Sequence, residues 1–246
     1  MNSTLLSKAQ TRRWLKPPTF TADVNMGVGS PWEIFRAQVS GRTVDLYAKN
    51  GGWGAYSTEL VLVPDYEFGF VVLTASILGS NYTNGLVYLI SEIIGSEVLP
   101  VLEEVAKDQA KAAIAGSYAA SNLNSSLKIT ADNQPGLRVT QWVSNGTEIL
   151  DTILPGGGNG TYVDFPLQPN QLYTGNQIGF TGTYQQLPKH IYFGPLDVNC
   201  LSWPTVDTFI YGDVGIEEFV FEIDTTTGKA TSVLPKALQI KLEKQE

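Results

Sequence analysis

Polar and apolar residues alternate over residues 42–48, and residues 56–63 and 68–73 are rich in β-branched and aromatic side chains. These runs predict strands, the last two joined by the turn Pro64-Asp65-Tyr66-Glu67, with a further strand over residues 32–36. The period then changes. Leu86, Val87, Leu89, Ile90, Ile93 and Ile94 recur at helical spacing, and after Pro100 the run from Val101 to Ile114 is rich in good helix formers. This pattern predicts a helix in two parts that packs an apolar face on the sheet and ends at Gly116 as a C-cap. From Gly116 onward, short alternating runs at 127–130, 137–143, 161–165, 183–184, 190–193 and 218–223 are separated by Gly/Asn turn clusters. Such spacing predicts an antiparallel β-barrel or sandwich. The chain therefore reads as α+β, with a sheet-and-helix domain over 1–115 and a β-rich domain over 116–246.

Composition narrows the partners. The 246 residues are 43% hydrophobic and 11% aromatic, enough to bury a substantial core in one large or two modest domains. A net charge of −8 with no Lys/Arg cluster argues against nucleic acid or an anionic membrane as a partner. The longest apolar run, residues 86–99, is interrupted by Ser91, Glu92, Ser96 and Glu97, so no membrane span is expected. Cys200 is the single cysteine and His190 the single histidine. Neither an intrachain disulfide nor a Cys-rich metal site can form; Cys200 reads as a small buried residue and His190 as the polar start of a strand. No cofactor and no metal are expected.

The stretch with chemical content is Lys49-Asn50-Gly51-Gly52-Trp53-Gly54-Ala55-Tyr56, where a lysine ends one strand and a Gly-rich turn leads to the next. Pro17-Pro18, Val28-Gly29-Ser30-Pro31-Trp32-Glu33-Ile34 and Asp65-Tyr66-Glu67-Phe68-Gly69 flank it. On these motifs, residues 12–75 resemble the last part of the catalytic domain of serine β-lactamase-like hydrolases of the fungal, class C-related type. In that family a K-T-G triad on an edge strand borders the catalytic serine. The resemblance implies a small-molecule amide, lactam or ester substrate and Lys49 as its electrostatic contact. Asn50, where Thr or Ser is usual, and Tyr56 would bind substrate. Gly51 and Gly52 would complete the wall, the backbone N–H of Gly52 or its neighbour forming half of an oxyanion hole. The β-rich part, opening on Gly116-Ser117-Tyr118, resembles the lipocalin-like domain that many such hydrolases append.

The family's other elements, S-x-x-K with the nucleophile and Y-x-N, precede K-T-G in chain order. Only 48 residues precede Lys49, and none spells S-x-x-K. Ser125-Ser126-Leu127-Lys128 lies in a strand pattern that points residues three apart to opposite faces, and Tyr82-Thr83-Asn84 reads as a loop tip. The chain is thus expected to be the C-terminal part of a longer hydrolase, lacking its own nucleophile. The alternatives are a non-catalytic remnant and an accessory protein of a fungal secondary-metabolite pathway. An uncovered sheet edge would favour self-association. Sequons at Asn2, Asn81, Asn124, Asn145 and Asn159 use five of thirteen asparagines, where chance gives about two. They point to a glycoprotein and a secreted full-length relative, although residues 1–8 lack the apolar run of a signal peptide. Gly156-Gly157-Gly158-Asn159-Gly160 reads as a hairpin tip, since no helix and no Lys-Ser/Thr follow it. Trp142, Trp203, Phe219 and Phe221 read as core.

Overall fold

The alternating runs of the first part of the chain build a six-stranded sheet in which every neighbouring pair is antiparallel. A computed structural model describes residues 5–152, 162–187, 207 and 209–245, and the chain divides into two units, residues 1–106 and 107–246. In the first, helix α1 (Lys8–Trp14) starts with a capping box in which Ser7 and Gln10 satisfy each other's backbone N–H groups. Strands β1 (Thr19–Phe20), β2 (Met26–Val28), β3 (Glu33–Val39), β4 (Arg42–Trp53), β5 (Tyr56–Val63) and β6 (Phe68–Ala75) then follow in chain order across the sheet. Strand alternation places Val39, Val44, Ala48, Val61 and Val63 in one buried cluster. Helix α2 (Ser80–Ile114) contributes Leu99 to that cluster, with Leu102 packed against it.

Three expectations change here. Helix α2 is one continuous element of 35 residues with Pro100 inside it, not two. Proline removes an intrahelical bond and crowds the preceding turn, but Leu99 and Leu102 anchor both sides of it in the same core. Tyr82, Thr83 and Asn84 belong to the first turns of α2 and not to a loop tip. Strand β4 runs on through Lys49 to Trp53, so the turn shrinks to Gly54 and Ala55. Helix α2 is also long and apolar enough to cross a membrane by length and composition. Glu92 and Glu97 lie within it, and each charge carried into a bilayer core is costly, so length and apolarity alone do not make it a span.

The second unit contains the last turns of α2 and then strands β7 (Gly116–Ala120), β8 (Ser125–Thr130), β9 (Leu137–Ser144) and β10 (Thr147–Glu148). A short helix α3 (Ile149–Thr152) follows, then β11 (Tyr162–Asp164), β12 (Pro166–Thr174), β13 (Gln177–Gly182) and β14 (Gln185–Leu187). The remaining strands are β15 (Ile210–Tyr211), β16 (Val214–Gly215), β17 (Glu218–Ile223), β18 (Ala230–Pro235) and β19 (Leu242–Lys244). Pairing runs β9-β12-β13-β17-β18-β19-β7-β8, and β8 pairs back onto β9, so eight strands close an antiparallel barrel. The barrel is filled: Trp142, Tyr118, Phe165, Phe219 and Phe221 are fully buried. The Trp142 ring lies 5.1 Å from Phe219 and 5.8 Å from Phe165, in tilted and edge-on packing. Gly116, at φ +148°, begins β7 in a conformation other residues rarely adopt. Residues 183–184, expected in a strand, form a link after β13; the backbone N–H of Thr183 bonds to Pro166 O at 3.0 Å, outside any ladder. The expected strand at 190–193, with His190, Cys200, Trp203, Asn2 and the 156–160 glycine run with Asn159, lies outside the described residues.

Candidate active-site wall around Lys49

Strand β4 is longer than its neighbour on one side. Its pairing with β3 ends at Ala48, opposite Glu33, whereas its pairing with β5 continues through Lys49, Asn50, Gly51 and Gly52 to Trp53 opposite Tyr56. Lys49–Trp53 is therefore an overhang with one paired side and one side that no described strand occupies. The alternating backbone N–H and C=O groups on that side are free to bond to something else. Gly51 and Gly52 keep the overhang narrow; a side chain at Gly51 would come within 3.1 Å of Thr58 Oγ1.

The lysine ammonium pairs with Glu33 Oε1 and lies 3.5 Å from Asn50 Oδ1. With 42% of the Lys49 side chain and 33% of Glu33 exposed, this pair is solvated enough to exchange Glu33 for another anion or a carbonyl oxygen. Asn50 turns its amide to the helix, donating Nδ2–H to the Tyr88 hydroxyl at 3.2 Å. It bridges the lysine to α2. Trp53 and Tyr56, opposite each other at the tip, are both well exposed.

Beside Gly52, β5 supplies Ser57, whose hydroxyl is 2.7 Å from Thr83 Oγ1 and donates to Asn84 Oδ1 at 2.6 Å. Ser57 and Thr83 are buried, so this cluster ties α2 to the sheet. In the other unit, Ser125 Oγ donates to Leu123 O and accepts from the Asn145 N–H, both at 2.9 Å. Its hydroxyl is engaged by backbone, and Lys128 is exposed on the same strand. Sequence reasoning missed Glu33 as the partner of Lys49, and it missed Tyr88 and the Ser57–Thr83–Asn84 cluster. Only their membership in the flanking motif, for Glu33, and in the Y-x-N look-alike, for Thr83 and Asn84, carried any signal. Among the described residues, no three His, Cys, Asp or Glu side chains are grouped to hold a metal.

Residues 106–246, more than half of the chain, match the family described as "Beta-lactamase-like-like, C-terminal domain". This chain belongs to the beta-lactamase-like family. A "Beta-lactamase-like protein" of Arthroderma benhamiae is 28% identical over 269 residues, covering 94% of this chain and 44% of the relative. A "Probable hydrolase clz13" of Cochliobolus lunatus is 21% identical over 258 residues, covering 97% of this chain and 41% of the relative. The chain thus spans less than half the length of these beta-lactamase-like relatives. The octameric penicillin-binding protein homologue from Pyrococcus abyssi aligns with 99% of this chain and 43% of its own, at 14% identity and a TM-score of 0.31.

Proposed function

We propose that this chain carries the lysine-bearing wall of a hydrolase site for an amide, lactam or ester, with the nucleophile contributed by residues outside this chain. The β4 overhang carries the reading: a cation, two glycines and a free strand edge lie together over Lys49–Trp53. A planar acyl group laid along such an edge pairs with strand backbone. Lys49 then stabilises its charge, and the backbone N–H of Gly52 or its neighbour supplies half of an oxyanion hole. Two serines that sequence or geometry brings forward, Ser57 and Ser125, have hydroxyls committed to buried hydrogen bonds. Without a covalent nucleophile, oxyanion stabilisation and binding leave roughly 10³–10⁴-fold over water. In the same reading the second unit is an appended lipocalin-like domain, and the exposed Asn81, Asn124 and Asn145 support glycosylation of a secreted protein.

The test uses the purified chain with a fluorescent penicillin and a nitrophenyl ester. The expected result is no covalent label and no turnover, with reversible penicillin binding that Lys49→Ala weakens about tenfold. Covalent labelling of a serine in this chain, or binding indifferent to Lys49→Ala, overturns the reading.

A further inference from the structure

A cavity of about 640 Å³ lies between the sheet and α2 in the first unit, within the usual range for a small-molecule site. Phe35, Leu46, Ala48, Val61 and Phe70 line it from the strands and Leu99 from the helix. Two polar groups in this apolar lining stand out. Glu59, on β5, is only 6% exposed, and its Oε2 has no hydrogen-bond partner among the described residues. Ser91 lines the same cavity from α2, and its buried Oγ is likewise unpartnered. A buried carboxyl oxygen and a buried hydroxyl left unbonded are both costly, and native structures rarely leave them without a reason.

The charge in the lining that is not ion-paired is acidic. Asp23 and Glu92 are exposed where the cavity meets solvent, and the one cation in the lining, Arg36, is paired with Asp45 at 3.3 Å. A ligand entering here meets three acidic side chains and an apolar interior. We propose that this cavity binds an amine-headed apolar molecule, the ammonium on Glu59 Oε2 and the body among the strand side chains. Ser91 Oγ accepts a second N–H. The Glu59 side chain shares the helix-covered face with Ala48, its diagonal neighbour across β4 and β5, and the inference stands whether or not the Lys49 wall is part of a hydrolase site.

Gly95 makes the inference testable without damaging the fold. It lines the cavity from α2, and a Cβ added there meets nothing within 4 Å. Gly95→Leu fills the space, and replacing a helical glycine holds or raises the melting temperature. Glu59→Gln keeps the shape and removes the charge. Isothermal titration of the full chain with n-decylamine, and separately with n-decanoate, reads out the chemistry. The expected result is saturable one-to-one binding of decylamine and none of decanoate. Affinity for the amine falls about tenfold or more in Glu59→Gln and is lost in Gly95→Leu. Decanoate binding as tightly as decylamine, absence of saturable amine binding, or unchanged amine affinity in either variant overturns the proposal.

Discussion

Replacing Arg42 by methionine keeps much of the aliphatic stem and deletes a guanidinium that holds two carboxylates. Its Nη2 lies 2.9 Å from Asp65 Oδ2 and its Nε 2.8 Å from Glu103 Oε2, while the group sits 5.3 Å over the Tyr66 ring. The two ion pairs differ in worth. Asp65 is 39% exposed, and a pair of that kind contributes about 0–1 kcal/mol. The Glu103 side chain is 11% exposed, and after the substitution its carboxylate keeps the Tyr66 hydroxyl, at 2.6 Å, as its remaining described partner. Burial, reinforced by Glu103 and opposed by Arg42, pushes that phenol to about 12, so it remains a neutral donor. Breaking a fully buried pair costs about 3–5 kcal/mol. The surviving Tyr66 bond and the partial exposure of Arg42 reduce the expected cost to about 2 kcal/mol. Native-state hydrogen exchange of the β4 and α2 amides measures it: about 2 kcal/mol corresponds to roughly 30-fold faster exchange through local opening. Glu103→Gln in the Arg42→Met background should recover about 1 kcal/mol, because a neutral amide tolerates the missing cation. Unchanged exchange in Arg42→Met, or strict additivity in the double variant, refutes Glu103 as the costly partner.

Two further outcomes concern the barrel. A Cβ on Gly182 would sit 2.1 Å from Cε1 and 2.5 Å from Cζ of Phe165, which is fully buried; Gly182→Ala should therefore cost about 2 kcal/mol and lower the melting temperature by roughly 5 °C, and an unchanged melt contradicts it. Burial, ahead of repulsion from Glu218 and Asp207, raises the Glu217 carboxyl above its ordinary 4.5. The folded form then holds the proton more tightly than the unfolded one. This contribution is fully stabilising below about 4.5 and is lost as pH rises through the raised value. Melts across that window should show Glu217→Gln flattening the pH dependence and stabilising the protein at neutral pH; an unaltered profile contradicts the assignment.

Strand β4 was legible because one face is covered by α2 and the other is not, which imposes period two on Val44, Leu46 and Ala48, whereas β5 and β6 were legible through their β-branched and aromatic side chains. The overhang was not. Glycines carry little strand propensity, so Asn50–Trp53 read as a turn, and only cross-strand bonding to β5 keeps it extended. The lysine of the candidate site was therefore found by its motif, but its partners Glu33 and Tyr88 come from other elements, and tertiary contact alone brings them together. Pro100 misled for a related reason: local chemistry argues for a break, and packing on both sides of it prevents one. In the β-rich half, alternation marked most strands, but it says nothing of which strand pairs with which. The choice between barrel and sandwich was decided by the unbroken circuit of pairings, with β19 joined to β7 and β8 back to β9.

That closure also sets an order of events during synthesis. The ring is joined where Glu243 on β19 meets Ala119 on β7, a contact between residues more than 120 positions apart in sequence. Until the ribosome has released residue 244, β7 and β18 each present an unpaired edge with aromatic core side chains behind it. The nascent second unit is thus exposed to pairing with other chains for nearly the whole time it is being made. Its yield in a cell should depend on translation speed and on chaperones that cover strand edges, more than on the stability of the finished barrel.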